Sequence, residues 1–236
     1  MREHDSLNQV AFATLYAQFR SPITELDCGR KCAPYNENGV PFCCDTNHTV
    51  PSAYPEEWQY LQTSTDLWHA WQSEDDNETN RLQSIAPSGH TLIACLGHEL
   101  CQRNFRSISC RAFPFYPYIS EKEEFIGLTY YWEYEDRCWV ISNLEVVRPE
   151  YRQEFIAAYE VIFKQLPDEW ENFRYHSNYM REIFAHRRRA IPLLHRDGDN
   201  YSVSPISGDF RRLVRRKFPK FGVYQIAARL PFPDEL

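Results

Sequence analysis

The sequence has few glycines, and none of them is placed for a nucleotide-binding loop. Its eight glycines include no Gly-x-Gly, so the glycine-rich turn of a dinucleotide-binding domain is absent. The sequence also lacks a P-loop, a Gly-x-Ser-x-Gly elbow and a Cys-x-x-Cys redox pair. These absences speak against the common nucleotide-binding, serine-hydrolase and thioredoxin-like classes, and no reaction is identified by a motif.

Long apolar runs are missing as well. No stretch of the sequence reaches the apolar length of a transmembrane helix. The opening residues, Met-Arg-Glu-His-Asp, lack the apolar segment of a signal peptide. We therefore expect a cytoplasmic protein with no membrane partner. At 236 residues and 43% hydrophobic, the chain is long enough to bury a core without the help of disulfides.

Cysteine is absent from the last 98 residues, because all eight cysteines stand before residue 140. Clustered thiols usually share one role, which could be metal ligation, disulfide pairing or redox exchange. A reducing cytoplasm disfavours disulfides, so metal ligation is the favoured interpretation. The predicted metal ligands are all eight residues: Cys28, Cys32, Cys43, Cys44, Cys95, Cys101, Cys110 and Cys138.

Basic residues are scarce in the same region, with 10 Lys and Arg against 20 Asp and Glu up to residue 140. Six of the ten lie within or beside the cysteine motifs: Arg30, Lys31, Arg103, Arg106, Arg111 and Arg137. Guanidinium groups stabilise the negative charge of a thiolate centre and lower thiol pKa values. We predict that Arg30 and Arg111 lie directly behind the ligands, although ordinary solvated loop residues would give the same clustering.

The spacing of the cysteines bears on the identity of the metal. Zinc and iron–sulfur clusters both accept four thiolates, so eight cysteines could fill two centres or one centre with bystanders. In an extended chain Cys43 and Cys44 point to opposite sides, and would divide between two centres unless they lie in a tight turn. Wide, irregular spacing favours an iron–sulfur cluster, with zinc as the alternative. His48, His90 and His98 could each replace a thiol, but a single polar-loop histidine is more often solvated.

Hydrophobic periodicity predicts an α+β fold with two parts. Residues 1–145 are expected to form an irregular cysteine-rich metal-binding core with a small antiparallel sheet. Residues 146–236 are expected to form a helical and basic C-terminal extension packed on that core. The predicted elements of the first part are a helix from Pro55 that carries Leu67, Trp68 and Trp71, a polar loop at Ser73–Asn80, and strands at His90–Ala94, Ala112–Ile119 and Phe125–Tyr134.

The second part is predicted to hold helices at Glu150–Leu166 and Pro167–His186, a hairpin of Ile191–His195 with Tyr201–Val203, and a basic helix at Phe210–Phe218. Its arginine groups, residues 187–189 and 211–217, could bind an acidic protein partner, or they could simply be solvated. Nucleic acid is not the expected partner, because the whole chain has a net charge of −7.

Three short motifs carry a resemblance to a known family. They are Cys28-Gly-Arg-Lys-Cys32, Phe42-Cys43-Cys44 and Cys110-Arg-Ala-Phe-Pro114. In this order they resemble the cysteine-cluster family described as zinc- or iron-chelating, which includes the flagellin lysine N-methylases. The resemblance covers roughly residues 25–140 and implies a metal site built from these cysteines. If it extends to lysine methylation, the methyl donor must bind without a Rossmann loop, since Gly-x-Gly is absent.

Three functions are compatible with these observations. The favoured one is a cysteine-ligated metalloprotein that binds an iron–sulfur cluster and has a redox or modifying-enzyme role. The alternatives are a structural zinc-binding interaction module and a protein lysine N-methylase-like enzyme. If the protein is an enzyme of either kind, its substrate is unknown. The aromatic residues Tyr130, Tyr131, Trp132 and Tyr134 are expected to cover the sheet and shield the metal centre, or to line a substrate pocket.

Overall fold

Helices pack with two antiparallel sheets in the computed structural model, which describes residues 9–213 and 218–227. The helices are α1 (Gln9–Gln18), α2 (Gly29–Cys32), α3 (Pro55–Ser64), α4 (Asp76–Ile85), α5 (Ile108–Ala112), α6 (Pro149–Gln165), α7 (Pro167–His186) and α8 (Val223–Ala227). Short 3₁₀ turns lie at Ala33–Tyr35, Phe42–Cys44, Arg103–Phe105, Trp132–Tyr134 and Ile141–Val146. Among the described helices, none has both the length and the apolar character that crossing a membrane requires.

The strands form one small sheet and one larger sheet. They are β1 (Ser52–Ala53), β2 (Trp68–Ala70), β3 (Thr91–Cys95), β4 (Phe115–Ile119), β5 (Phe125–Tyr130), β6 (Ile191–His195), β7 (Asn200–Val203) and β8 (Phe210–Arg212). The small sheet has the order β1-β3-β2, and the larger sheet has the order β4-β5-β6-β7-β8. All neighbouring strands are antiparallel, so the predicted mixed α+β character is confirmed.

The larger sheet combines strands from both sides of residue 145. β5 pairs with β6 through Gly127 opposite His195 and Leu128 opposite Leu194. Glycine is needed at position 127, because a Cβ atom there would collide with the carbonyl oxygen of Leu194. The β4–β5 hairpin, which lies close to the cysteine segments, is therefore held in place by strands that come much later in the sequence.

The helices α6 and α7 begin where the prolines predict. Pro149 and Pro167 occupy the first helical turn, where a missing N–H costs no hydrogen bond. The two helices pack against each other, and α7 also packs on β4. Ser177 of α7 accepts a 2.9 Å hydrogen bond from the backbone N–H of Ile119. The predicted helices at 150–166 and 167–186 and the predicted 191–203 hairpin are confirmed.

Four predictions in the first part need correction. Ala112 lies in α5 and not in a strand, and Trp132–Tyr134, predicted to end the strand from Phe125, form a 3₁₀ turn. The helix from Pro55 is present but ends at Ser64, because Thr65 is extended, and Trp68 begins β2 instead of continuing the helix. The polar loop predicted at 73–80 is wrong from residue 76 onward, where α4 begins. The Asp75 side chain caps α4 by accepting a 2.9 Å hydrogen bond from the Asn77 N–H, and acidic residues fill its first turn.

The region after residue 145 is not wholly helical, because three strands follow α6 and α7. Phe210–Arg212, which we predicted to open a basic helix, form the edge strand β8. A turn from Ser204 to Asp209 returns the chain alongside β7, and the Phe210 ring packs on Tyr201 at 5.4 Å. Residues 214–217 of the predicted helix lie outside the described residues.

Candidate functional site

One cavity collects all the cysteines of the chain. It has a volume of about 710 Å³, and its wall includes Cys28, Cys32, Cys43, Cys44, Cys95, Cys101, Cys110 and Cys138. All eight lie within the described residues, and none of them is in a disulfide. Clustering in the sequence does not by itself require convergence in space. Here helices, 3₁₀ turns, a strand end and loops from separate stretches bring the thiols to one wall.

The first four cysteines are placed by two short turns packed together. α2 carries Cys32, whose thiol lies 3.5 Å from the Gly29 carbonyl. A Cβ at Gly29 would stand 2.8 Å from the Pro41 ring, so glycine allows the 3₁₀ turn that follows to approach α2 closely. That turn contains Cys43 and Cys44, with their Sγ atoms 4.0 Å apart. The tight turn therefore keeps both adjacent thiols at the same cavity.

Later cysteines are placed by regular elements. Cys95 is the last residue of β3 and pairs with Trp68 of β2. Cys110 lies in α5, where the Ser107 hydroxyl caps the helix by accepting a 3.2 Å hydrogen bond from the Cys110 N–H. The small sheet and this one-turn helix thus fix two thiols that are far apart in the sequence.

Aromatic rings frame Cys138 and the adjoining wall. The Cys138 N–H donates a 2.8 Å hydrogen bond to the Tyr134 carbonyl, and the Tyr134 hydroxyl donates to the His48 carbonyl at 3.0 Å. The Phe113 ring packs edge-on against Tyr134 at 4.9 Å. Tyr131 and Tyr134 both line the cavity, which is where the sequence predicted an aromatic cover.

Four thiols form what we call the first thiol group: Cys28, Cys32, Cys43 and Cys138. Burial, reinforced by the Cys32 thiol, raises the pKa of Cys28 to about 11. Burial also raises the pKa of Cys138, and the thiols of Cys28 and Cys32 add to that effect. A hydrogen bond with Cys44 and then burial raise the pKa of Cys43. Repulsion from Cys28 and Cys138 raises the pKa of Cys43 further.

The other four thiols form the second thiol group: Cys44, Cys95, Cys101 and Cys110. Burial is the largest cause that raises the pKa of Cys110 to about 12, and the other three thiols contribute to it. Burial likewise raises the pKa of Cys95, with Cys44 and Cys101 adding to the shift. Within each group, ionising one thiol opposes ionising the next. A positively charged centre between them would remove this repulsion.

No family model, curated protein or solved structure matches this chain. We therefore infer function from the residues of the cavity. Within residues 9–213 and 218–227, no three Cys, His, Asp or Glu side chains meet at one point as the ligands of a single ion do. The thiols are instead distributed around the cavity wall.

Arg106 is the guanidinium that contacts a thiol directly. Its Nε lies 3.1 Å from the Cys101 Sγ. Burial opposes the charge of Arg106, but the hydrogen bond and charge of Cys101 outweigh burial and raise the Arg106 pKa. The hydrogen bond from Cys43 lowers the pKa of Cys44, and Arg106 lowers it further. Sequence reasoning counted Arg106 among the nearby basic residues but did not single it out.

The two arginines that the sequence did single out occupy different positions. Arg30 lines the cavity. Arg111 is 8% exposed and lies behind the loop that carries Cys101 and Arg106. Its guanidinium stands 4.3 Å from the Tyr16 ring centre. It donates to five backbone carbonyls, which belong to Tyr16, Phe19, Arg103, Asn104 and Arg106.

A buried carboxylate holds α5 from the opposite side. Glu57 is fully buried, and its Oε1 accepts from the Tyr16 hydroxyl at 2.5 Å and from the Ile108 N–H at 2.6 Å. Its Oε2 accepts from the Tyr54 N–H at 3.3 Å. Glu57 therefore satisfies the first N–H of the helix that presents Cys110. Burial raises the pKa of Glu57 from 4.5 to about 7.

We predict that Glu57 makes stability fall as the pH rises from about 4.5 to 7. Its pKa is higher in the folded state than in the unfolded state, so its contribution is fully present below 4.5 and lost as the pH passes 7. The expected loss is roughly 3 kcal/mol across this range. Urea unfolding of the wild type and Glu57→Gln should show it as a pH-dependent difference between their free energies of unfolding.

Glu56→Gln is the matched control, because Glu56 is the neighbouring carboxylate on α3 and is partly exposed. Its free energy of unfolding should run parallel to that of the wild type over the same pH range. If the curves of Glu57→Gln and wild type are also parallel, Glu57 is not the titrating group.

The histidines and the C-terminal arginines have distinct environments. His90 and His98 line the cavity, so both can approach the thiols, whereas His48 lies 4.0 Å from Asp45 in a neighbouring depression. The basic residues proposed for an acidic partner are partly neutralised within the chain. Arg189 makes a two-pronged contact with Glu135 at 2.7 and 2.8 Å, Arg187 lies 3.8 Å from Glu135, and Arg212 pairs with Asp199.

The cavity wall has a second polar region, on α7, that sequence reasoning missed. One face of α7 presents Glu169, Asn172, Phe173 and His176 to the cavity. The signal was present in the sequence, because positions i, i+3, i+4 and i+7 share a helix face. It was missed because the aromatic residues of α7 suit ordinary core packing equally well.

Proposed function

We propose that this protein is a cysteine-ligated metalloprotein that holds iron–sulfur clusters. The observation that supports this proposal is the convergence of all eight cysteines, each as a free thiol, on one cavity. Free thiols in this number also support a reducing compartment, so we propose a cytoplasmic location. The resemblance of three short cysteine motifs to a zinc- or iron-chelating family points to the same chemistry.

The donor set suits a cluster in two respects. Iron–sulfur clusters are held by four cysteine thiolates that bind different iron atoms, so their ligands surround the cluster and do not meet at one point. The eight thiols line one cavity without three of them meeting at one point in the described residues, which suits a cluster better than a single ion. We propose one cluster for each thiol group, with the adjacent Cys43 and Cys44 assigned to different groups.

When bound, such clusters supply one-electron transfer at a potential set by charge, hydrogen bonding and solvent exposure. The chain contributes to each of these. Arg106 donates to the Cys101 sulfur and places positive charge beside the second thiol group. Tyr131, Tyr134 and Phe113 limit solvent access to the cavity. Arg111 and Glu57 fix the backbone that leads into Cys110, at Arg106 and Ile108.

Structural zinc is the second candidate, and one distance favours it. At a Zn–S bond length of about 2.3 Å, tetrahedral geometry places ligand sulfurs roughly 3.8 Å apart. The Cys43 and Cys44 sulfurs, 4.0 Å apart, are close to that spacing. A zinc centre would then make the protein an interaction module, because a closed four-thiolate site leaves no position for a substrate.

Anaerobic purification followed by metal analysis distinguishes the two candidates. We expect a brown protein that contains about eight iron and eight inorganic sulfide per chain, as two four-iron clusters require. Broad visible absorption should bleach on reduction with dithionite. A colourless protein with stoichiometric zinc would replace the iron assignment. A folded, metal-free protein with eight titratable thiols, unable to take up iron and sulfide, would contradict both candidates.

A further inference from the structure

The second polar region of the cavity is organised around one buried carboxylate. Glu169 lies on the first turn of α7 and is 6% exposed. Its Oε2 accepts a 2.8 Å hydrogen bond from the Tyr54 hydroxyl, and the Asn172 amide also hydrogen-bonds to it. His90 Nε2 lies 3.9 Å from Oε1. Burial lowers the pKa of His90 to about 4, so this histidine is neutral near pH 7 and supplies no counter-charge.

Aromatic rings make up most of the wall beside this carboxylate. Phe173 and Tyr159 stand perpendicular to each other with ring centres 5.4 Å apart. Tyr131 and His176 are also perpendicular, at 6.1 Å. All four residues line the cavity with Glu169. These edge-to-face pairs concentrate aromatic surface on the wall that Glu169 shares.

We propose that this end of the cavity binds a small quaternary ammonium compound. A cation supplies the positive charge that Glu169 lacks, and aromatic faces attract cations through their ring quadrupoles. Tyr54 and Asn172 already donate to the carboxylate, which leaves fewer of its acceptor sites for the three N–H groups of a primary ammonium. A fully alkylated nitrogen needs none. The site is defined by Glu169, Tyr131, Tyr159, Phe173 and His176, which line the same cavity as the thiols.

Choline and its uncharged carbon isostere, 3,3-dimethylbutan-1-ol, test the proposal on the purified protein with its metal in place. They have nearly the same shape, so a difference in affinity reports the charge. Titration calorimetry should give a millimolar Kd for choline and binding at least about tenfold weaker for the isostere. Equal affinity for both compounds, stronger binding of n-butylammonium than of choline, or no binding of choline at all would overturn the proposal.

Variants locate the site. Glu169→Gln keeps the shape but removes the charge, and should weaken choline binding about tenfold. Glu171→Gln is the matched control, since Glu171 is an exposed carboxylate on the same helix, paired with Arg174, and should bind choline as the wild type does. Tyr131→Leu should also weaken binding. Equal weakening by Glu169→Gln and Glu171→Gln, or unchanged binding in both Glu169→Gln and Tyr131→Leu, would contradict the assignment.

The proposal is independent of the metal assignment. Iron and zinc are measured in every variant, and Glu169→Gln should retain the wild-type metal content because Glu169 belongs to neither thiol group. A protein that holds zinc and binds choline would contradict the iron–sulfur proposal alone. A protein that holds iron and sulfide but does not distinguish choline from its isostere would contradict the ammonium site alone.

Discussion

Replacing Arg111 by methionine is expected to lower the free energy of unfolding by about 3–5 kcal/mol. The guanidinium is 8% exposed and donates to five backbone carbonyls from α1 and from the loop at residues 103–106. Methionine fills similar space but removes the donors from the buried Tyr16 and Phe19 carbonyls and from three part-buried carbonyls, of which that of Arg103 keeps the Arg106 N–H. Each acceptor left without a donor costs free energy. It also removes the guanidinium stacked on the Tyr16 ring.

Arg111→Lys should fall between the wild type and Arg111→Met, because a lysine ammonium cannot reproduce the planar fork of donors. Arg103→Met is the control. Arg103 lies in the same loop, but its side chain is 56% exposed and pairs with an exposed Asp27, so we expect a change below about 1 kcal/mol. Denaturant unfolding followed by tryptophan fluorescence measures the free energy of unfolding of all three variants. Similar losses in Arg111→Met and Arg103→Met would show that the buried hydrogen bonds are not the source of stability.

Cys110→Ser and Cys138→Ser are each expected to lose about half of the bound iron, on the proposal that each thiol group holds one cluster. Cys110 belongs to the second thiol group and Cys138 to the first. The double variant should therefore lose nearly all of it. Iron and sulfide analysis of the three anaerobically purified proteins gives the answer directly.

His98→Ala is the control for these cysteine variants. His98 lines the same cavity, and the sequence offered it as a substitute ligand. If the eight thiols are the ligands, His98→Ala keeps all of the iron. Loss of all iron in either single cysteine variant would show a single shared centre. Global unfolding in every cysteine variant would instead favour a structural site, because metal-binding energy is then folding energy.

The sequence predicted the elements that depend on local signals. Pro149 and Pro167 mark the starts of α6 and α7, and the Asp197–Asn200 turn marks the β6–β7 hairpin. Each of these signals acts within a few residues. β8 was mistaken for the start of a helix because arginines in twos and threes were taken to stand at helical spacing. What fixes it as a strand is pairing with β7, which the local sequence does not encode.

The residues of the cavity also show that the local sequence does not reveal contacts between distant parts of the chain. The sequence identified all eight thiols, because cysteine is rare and its clustering is visible along the chain. The sequence did not show that Arg106, and not Arg111, is the arginine that contacts a thiol. Both residues lie near Cys110, and only the fold decides which side chain reaches a sulfur. Glu169 was missed in the sequence for a related reason. An acidic residue in the first turn of a helix is expected from the helix dipole alone.

β5 can pair with β6 only late in synthesis, because β6 is made well after β5 and after the last cysteine. Cys138, the last cysteine, leaves the ribosome before α7, which forms the second polar region of the cavity, and before β6, which supports β5. At roughly 5–20 residues per second, several seconds pass before β6 is made. During that interval every thiol exists while the cavity still lacks one wall. If the cysteines hold clusters as proposed, the clusters can be loaded before the chain folds around them.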